Sequence, residues 1–276
     1  MKSKALSLAL HLFCSLSLQA QEPQVAMRID FVSWGEDLTG LEVRTGKRTE
    51  PVKALAFRYS EEFEYSGPQI LALALGQGSD DTVREMAEAY EARRRSDKAE
   101  GLDVPDAPFV PREAAKVVEG EIPKALALAR EKDPALAVLV KLPAASRRVT
   151  ILLAPGPDRS LVPHIFNDDA ARHPLGMVRV HNLSPHPVAL RTASGKNSEL
   201  APGKGFLAPA PGETFAYELS YQADGAWNIQ ENNLITVRPT EQMHMVILRS
   251  GSSFFSSSDG SRGGFMQTAF LRRTAR

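Results

Sequence analysis

Three of the chain's six histidines fall within eighteen residues, in HPLGMVRVHNLSPHPVAL from His173 to Leu190. Histidine titrates near neutral pH and is the commonest metal ligand, so such a cluster could hold a metal ion or move a proton. Metal ligation requires at least three convergent donors, and a common single-segment zinc signature sets two histidines one helical turn apart. This stretch does not have that spacing. In MVRVHNL, Val178 and Val180 fall on one face of a strand and Met177, Arg179 and His181 on the other. Asn182, Ser184 and Pro185 then make a turn, and PVAL restarts the alternation, so the segment reads as strand, turn and returning strand.

A second group, HIFNDDAARH, places His164, Asp168, Asp169 and His173 close together in sequence, a mixture of hard and borderline donors that could hold a metal. The competing reading is a polar loop in which Asn167 and the aspartates bond to nearby backbone. Other signatures are broken. No G-x-S-x-G nucleophile elbow occurs, and the serines of 252–261 lie in a low-complexity tract that could not hold a nucleophile in place. Gly76 and Gly78 follow an apolar run as in a dinucleotide-binding turn, but Asp81 stands where the third glycine belongs and would repel pyrophosphate. Arg93, Arg94 and Arg95 sit among Glu88, Glu91, Asp97 and Glu100, the composition of a solvated helix end. No reaction is assigned on these residues, and no cofactor is called for.

Aromatic residues offer a third kind of site. Tyr217, Tyr221 and Trp227 lie in FAYELSYQADGAWNIQENN, beside Asn228, Gln230, Asn232 and Asn233. Tyr217, Leu219 and Tyr221 share one strand face. An exposed row of rings with Asn233 nearby could stack on sugars and hydrogen-bond their hydroxyls. The alternative is that the rings are sandwich core.

The elements that must position these residues are mostly strands. VAMRIDFVSW, GLEVRTGKR, VKALAFRYS and GPQILALAL are short apolar or alternating runs separated by turn residues. Between residues 80 and 133 the texture changes: 24 of 54 residues are charged, against 42 of the other 222. There, Thr82 to Glu85 has the form of a capping box, and Val83, Met86, Ala87 and Tyr90 mark one face of a helix over 82–98. A weaker helical pattern covers Glu113 to Arg130, divided by Pro123. Strands resume at ALAVLVKLP and RRVTILLAP, so the charged stretch reads as an insertion. MVRVHNL, PVALRT, FAYELSY, LITVRP, MHMVILRS and FMQTAFLRR follow, with turns such as APGKG and ADGA between them. The expected fold is mainly β: two tandem antiparallel, immunoglobulin-like sandwiches. One spans 21–157 and carries the helical insertion at 80–133; the other spans 158–276 and carries a low-complexity loop at 251–264.

The N-terminus, MKSKALSLALHLFCSLSLQAQ, has two lysines ahead of an apolar run and a small-residue cleavage point after Ala20, the layout of a signal peptide over 1–20. Cys14 is the chain's one cysteine, so cleavage leaves none and stability must come from packing. The mature chain would carry 31 basic and 33 acidic residues, a balance that favours neither nucleic acid nor an anionic membrane as partner. No later apolar stretch is long enough to span a bilayer as a helix.

Several stretches, MVRVHNLSPHPVAL, LAPGKGFLAPAP and WNIQENNLITVRPTEQMHMVIL, resemble an uncharacterised family of secreted bacterial β-sandwich proteins. The likeness rests on the N-L-S-P and LAPG turns, Trp227, Asn233 and the Arg238-Pro239 pair, with YSGPQILALAL and RRVTILLAPGP as earlier strands. It implies export and architecture but no activity. The functional expectation is therefore a periplasmic or secreted, non-enzymatic cell-envelope protein that binds or scaffolds a partner, an envelope protein or a glycan, through loops or an open strand edge. A carbohydrate-binding module using Tyr217, Tyr221, Trp227 and Asn233 is one alternative. A metallohydrolase built on His164, Asp168, Asp169 and His173 is the other.

Overall fold

The computed structural model describes residues 23–35, 37–46, 48–76, 92, 95, 98, 99, 121–193, 195, 197–249 and 266–274. The expected signal peptide, most of the charged stretch at 80–133, the Gly78–Asp81 turn and the loop at 251–264 lie outside these residues. Within them the protein is mainly β, with sixteen strands and a short α-helix late in the first half, and residues 92, 95, 98 and 99 are also helical.

The first half forms an eight-stranded sheet. Its strands are β1 (Gln24–Ser33), β2 (Leu38–Thr45), β3 (Arg48–Ala56), β4 (Phe63–Pro68), β5 (Ile70–Leu75), β6 (Leu136–Lys141), β7 (Arg148–Pro155) and β8 (Leu161–Asn167). They run in the order β6-β5-β2-β3-β1-β7-β8, with β4 added to β1, and β6 and β8 approach one another so that the sheet nearly closes as a barrel. Its interior is filled by alternate residues, among them Ile29 and Phe31 of β1, Leu41 and Val43 of β2, Leu71 and Leu73 of β5, and Ile151 and Leu153 of β7. α1 (Lys124–Arg130) starts directly after Pro123, as expected where proline cannot continue a helix. It covers one end of the sheet by packing Leu126 against Ala74 and Leu136.

The second half consists of two four-stranded sheets over one core. One has the order β11 (Asn197–Leu200), β10 (Val188–Thr192), β13 (Thr214–Ala223), β14 (Ala226–Thr236); the other has β12 (Gly205–Pro209), β9 (Met177–Asn182), β15 (Glu241–Arg249), β16 (Met266–Thr274). Val178, Val180, Met243, Met245 and Ile247 from one sheet meet Val188, Leu190, Phe215, Tyr217 and Leu219 from the other. The Asp224-Gly225 turn joins β13 to β14, with both residues at positive φ as a two-residue hairpin demands.

The arrangement departs from the expected all-antiparallel layout. β1 runs parallel to both β3 and β7, and β9 parallel to β15. Period-two alternation reads the same for either direction, so sequence pattern does not distinguish them. β8 belongs to the first sheet through its pairing with β7. The junction between the two strand sets therefore falls at 168–176, beyond the boundary expected between 157 and 158.

The two halves meet through a third apolar layer. Val32 of β1, Leu152 of β7 and Phe166 of β8 point outward from the barrel and pack on Val246 and Leu248 of β15 and Leu271 of β16. This explains two unusual burial patterns. β1 alternates over its first half and is buried on both faces over its second, and β15 is buried at every position but its last.

Close strand approach fixes Gly205 as well. A Cβ there would sit 2.4 Å from the Val180 carbonyl oxygen across the β12–β9 pair. Gly205→Ala should therefore destabilise the protein by about 1–3 kcal/mol, the usual cost of overpacking, measured by urea unfolding at neutral pH.

Candidate functional site

Where the halves meet, the apolar layer gives way to a buried polar cluster. Alternation along each strand delivers its members: Asp30 and Thr150 flank the outward-facing Val32 and Leu152, Asp168 follows the end of β8, and His244 precedes Val246 on β15. His181 comes from β9, Arg273 from β16, and His173 from the segment that joins the halves. The ring of Phe166 forms the floor, stacked on His181 with centroids 4.0 Å apart and on His244 at 5.1 Å.

Asp168 is the hub. Its Oδ1 accepts a hydrogen bond from His244 Nε2 at 2.8 Å, and its Oδ2 accepts from Arg273 Nη1 at 2.8 Å and from the Thr150 hydroxyl. Burial works to raise this carboxyl's pKa, but the bond to His244, the charges of His244 and Arg273 and the Thr150 bond outweigh it, holding the group well below the usual carboxylate range. Arg273 also donates through Nη2 to Asp30 Oδ2 at 2.5 Å, and its guanidinium lies 4.3 Å from the centre of the Tyr59 ring. Asp30 goes the other way: burial raises it, and Arg273 and Arg148 offset that only in part.

The histidines form a chain behind Asp168. A carboxylate can only accept, so His244 Nε2 carries a proton. Its Nδ1 lies 2.9 Å from His181 Nε2. His173 Nε2 lies 3.2 Å from the Met177 carbonyl, which likewise can only accept, so the neutral His173 ring leaves Nδ1 as a bare lone pair. That nitrogen is buried without a hydrogen-bond partner. Burial, with help from the adjacent His244, lowers the His173 pKa to about 4, so the ring is neutral at pH 7. Burial, then His244, also holds His181 well below the ordinary histidine value. Gln242 Nε2 bonds the Asp168 and His173 carbonyls and so pins the joining segment to β15.

Of the four residues expected to bind metal from sequence, the fold brings Asp168 and His173 together. Donor atoms of Asp168, His173 and His244 all lie within 4.8 Å of one another. His164 stands on the same face of β8, two residues before Phe166 and outside the cluster, half-buried, with its pKa lowered by burial. Asp169 does the local work anticipated for this loop: its Oδ1 accepts the Arg147 and Arg148 amides at 2.9 and 3.0 Å, and its own amide donates to Asn167 Oδ1. His186 directly follows the N-L-S-P turn, whose buried Asn182 donates to the His186 and Leu200 carbonyls and accepts from Ser184.

The aromatic residues separate. Tyr217 lies in the core of the second half, and its hydroxyl donates to Glu231 Oε1 at 2.5 Å. Burial, followed by the Glu231 contact, raises its pKa. Tyr221 packs on the same core, while Trp227 pairs across the hairpin with Gln222 and so faces the opposite side of the sheet. Asn233 Oδ1 accepts the Leu234 amide. The three rings thus do not make one exposed platform.

His244, Arg273, Asp30 and Thr150 were not singled out by sequence. Only His244 carried a signal, as a histidine inside the otherwise apolar strand MHMVIL: a polar ring in a doubly buried strand must have partners. The protein-family models include none that matches this chain, and no curated protein matches it.

Arg273→Met removes the cation shared by two buried carboxylates and should cost about 3–5 kcal/mol at pH 7. Without it, Asp30 and Asp168 take up protons more readily in the folded state, and the neutral acids are cheaper to bury. The loss should therefore be smaller at pH 4 than at pH 7 in paired urea titrations.

Proposed function

We propose that the protein is an exported, non-enzymatic component of the cell envelope, periplasmic or secreted, which binds another macromolecule by adding a strand to the open edge of β14. In this reading the second half acts as an immunoglobulin-like sandwich that presents the edge. The first half, with a charged helical insertion at 80–133, is its companion domain, and the resemblance to secreted bacterial β-sandwich proteins forms part of the same proposal.

The observation that carries the reading is the character of β14. It ends its sheet, and among the described residues no strand pairs with its outer side. Along it Trp227, Ile229 and Leu234 are exposed by 43, 70 and 63 %. Their cross-strand partners are Gln222, Ser220 and Ala216, which place all three on the sheet face away from the core. Ile229 and Leu234 are an odd number of residues apart and would point to opposite faces in a regular strand. A bulge at Gln230, opposite Leu219/Ser220, shifts the register and restores the common face. Gln230 is held by its side chain, which accepts the Met266 amide at 3.0 Å. A long edge strand with an apolar stripe is the surface that β-strand addition uses, main-chain bonds giving affinity and side-chain contacts giving selectivity.

The other chemistry fits this reading better than catalysis. Asp168, His173 and His244 are fully enclosed between the halves, away from any substrate in solvent. Export is supported by the lysine-flanked apolar N-terminus. No helix among the described residues is long and apolar enough to cross a membrane.

Immobilised protein should retain an envelope protein from extract, and Ile229→Lys combined with Leu234→Lys should reduce that retention about tenfold or more by charging the edge. Both positions are exposed, so urea stability should change by no more than about 0.5 kcal/mol per site. Equal retention by the variant would overturn the reading. Binding to a glycan array that is lost in Trp227→Ala would favour carbohydrate instead.

A further inference from the structure

We propose that Asp168, His173 and His244 form a buried binding site for a divalent metal ion of the zinc class, which ties the two halves of the protein together. This inference is independent of the β14 edge. It replaces the set expected from sequence by keeping Asp168 and His173, dropping His164 and Asp169, and adding His244.

Proximity alone would not make these three a site. The decisive observation is the free lone pair on His173 Nδ1. The ring is fully buried, its Nε2–H is engaged by the Met177 carbonyl, and Nδ1 has no hydrogen-bond partner. A buried nitrogen left without a partner costs about 1–3 kcal/mol, so native structures rarely leave one without a use. The tautomer is the one that ligation through Nδ1 requires, and it is fixed by a carbonyl in the way that metal-bound histidines commonly are.

The other two donors are supported in the same manner. His244 Nδ1 is 2.9 Å from His181 Nε2, so when Nε2 gives its proton up to make way for a metal, Nδ1–H has an acceptor ready. Asp168 Oδ1 faces His244, while Oδ2 is held by Arg273 and Thr150, which orient the carboxylate without occupying the first oxygen. The 2.8 Å bond between His244 and Asp168 is then the proton-filled form of the same contact. Each potential ligand thus has a supporting partner on its far side.

Charge favours a cation. Asp30 and Asp168 are buried; Arg273 pairs with both, and Arg179 also acts on Asp168. Arg148 is more exposed and divides itself between Asp30 and Glu62. A divalent ion here would add positive charge beside these buried carboxylates. Two imidazole nitrogens and one carboxylate oxygen suit zinc and its first-row neighbours, and not magnesium or calcium, which favour all-oxygen sites. The three donors come from the joining segment and from β15, so an ion here would staple the segment to the second half, while Asp168 remains bonded to Thr150 of the first.

The test uses the untagged full chain, stripped with chelator, reloaded with Zn²⁺, desalted and analysed for metal. The expected result is one zinc per chain, with zinc affinity reduced about tenfold or more in His173→Phe, which keeps a ring in place, and in His244→Phe, and wild-type affinity in His164→Ala and Asp169→Ala. Less than a tenth of a zinc per folded wild-type chain overturns the proposal, as does unchanged affinity in His173→Phe or loss of binding in His164→Ala. Should the Phe variants fail to fold, Co²⁺ loading of the wild type decides. A visible d–d absorption of a four- or five-coordinate ion, bleached by equimolar Zn²⁺, supports the site, and its absence overturns it.

Discussion

The constraint on which the structure depends is the satisfaction of one buried carboxylate. Asp168 is buried between two strand sets, and an isolated ionised group there would cost several kcal/mol. Its donors arrive from far along the chain: Thr150 from β7, His244 from β15 and Arg273 from β16. Arg273 in turn reaches Asp30 on β1, 243 residues earlier in sequence. These bonds can form together only if both halves are folded and docked in one orientation. The network therefore couples the folding of the barrel-like sheet to that of the paired sheets, and it links the chain's first described strand to its last.

The apolar layer beside the network supplies attraction but little direction. Val32, Leu152, Phe166, Val246, Leu248 and Leu271 would pack acceptably after a small slide or rotation, since aliphatic contacts are not directional. A hydrogen-bonded carboxylate with three donors tolerates much less displacement before it loses bonds worth more than their apolar surroundings can replace. The two terms divide the task, with area holding the halves together and polar geometry setting how they meet. Phe166 serves both, through its place in the apolar layer and its stacking on His181 and His244.

Much of the strand content was legible in the sequence, because alternation over MVRVHNL, PVALRT and FAYELSY reports which residues face a core, and Val178 and Val180 are indeed buried while His181 faces the other way. Three things were not legible, each for a physical reason. Strand direction leaves no mark on a period-two pattern, so the parallel pairs β1–β7 and β9–β15 could not be read. The split of the β4 and β5 region into two strands with different partners depends on tertiary pairing, and GPQILALAL gives no hint of it. The cluster around Asp168 is invisible because its members lie up to 243 residues apart in sequence. Local spacing drew attention to Asp169 and His164, which serve the loop and the strand, whereas His244 shows only as a polar residue in an apolar strand.

The contrast between β15 and β14 shows how the same kind of sequence takes opposite roles. MHMVIL is buried on both faces because a second layer, the outside of the barrel, covers what would otherwise be the solvent side of its sheet. WNIQENNLIT carries apolar residues on its outward face too, yet nothing among the described residues covers it. In β15 the polar exception, His244, is satisfied within the protein. In β14 the polar residues Asn228, Asn232 and Asn233 interleave with an apolar stripe at the end of the sheet, a pattern that does not employ the lysine or proline with which edges are commonly blunted. This edge spans Ala226–Thr236, and its bulge at Gln230 is tied to β16 through the Met266 amide. The internal docking of the two halves and the open edge of the second therefore lie on different sheets, so occupation of one need not disturb the other.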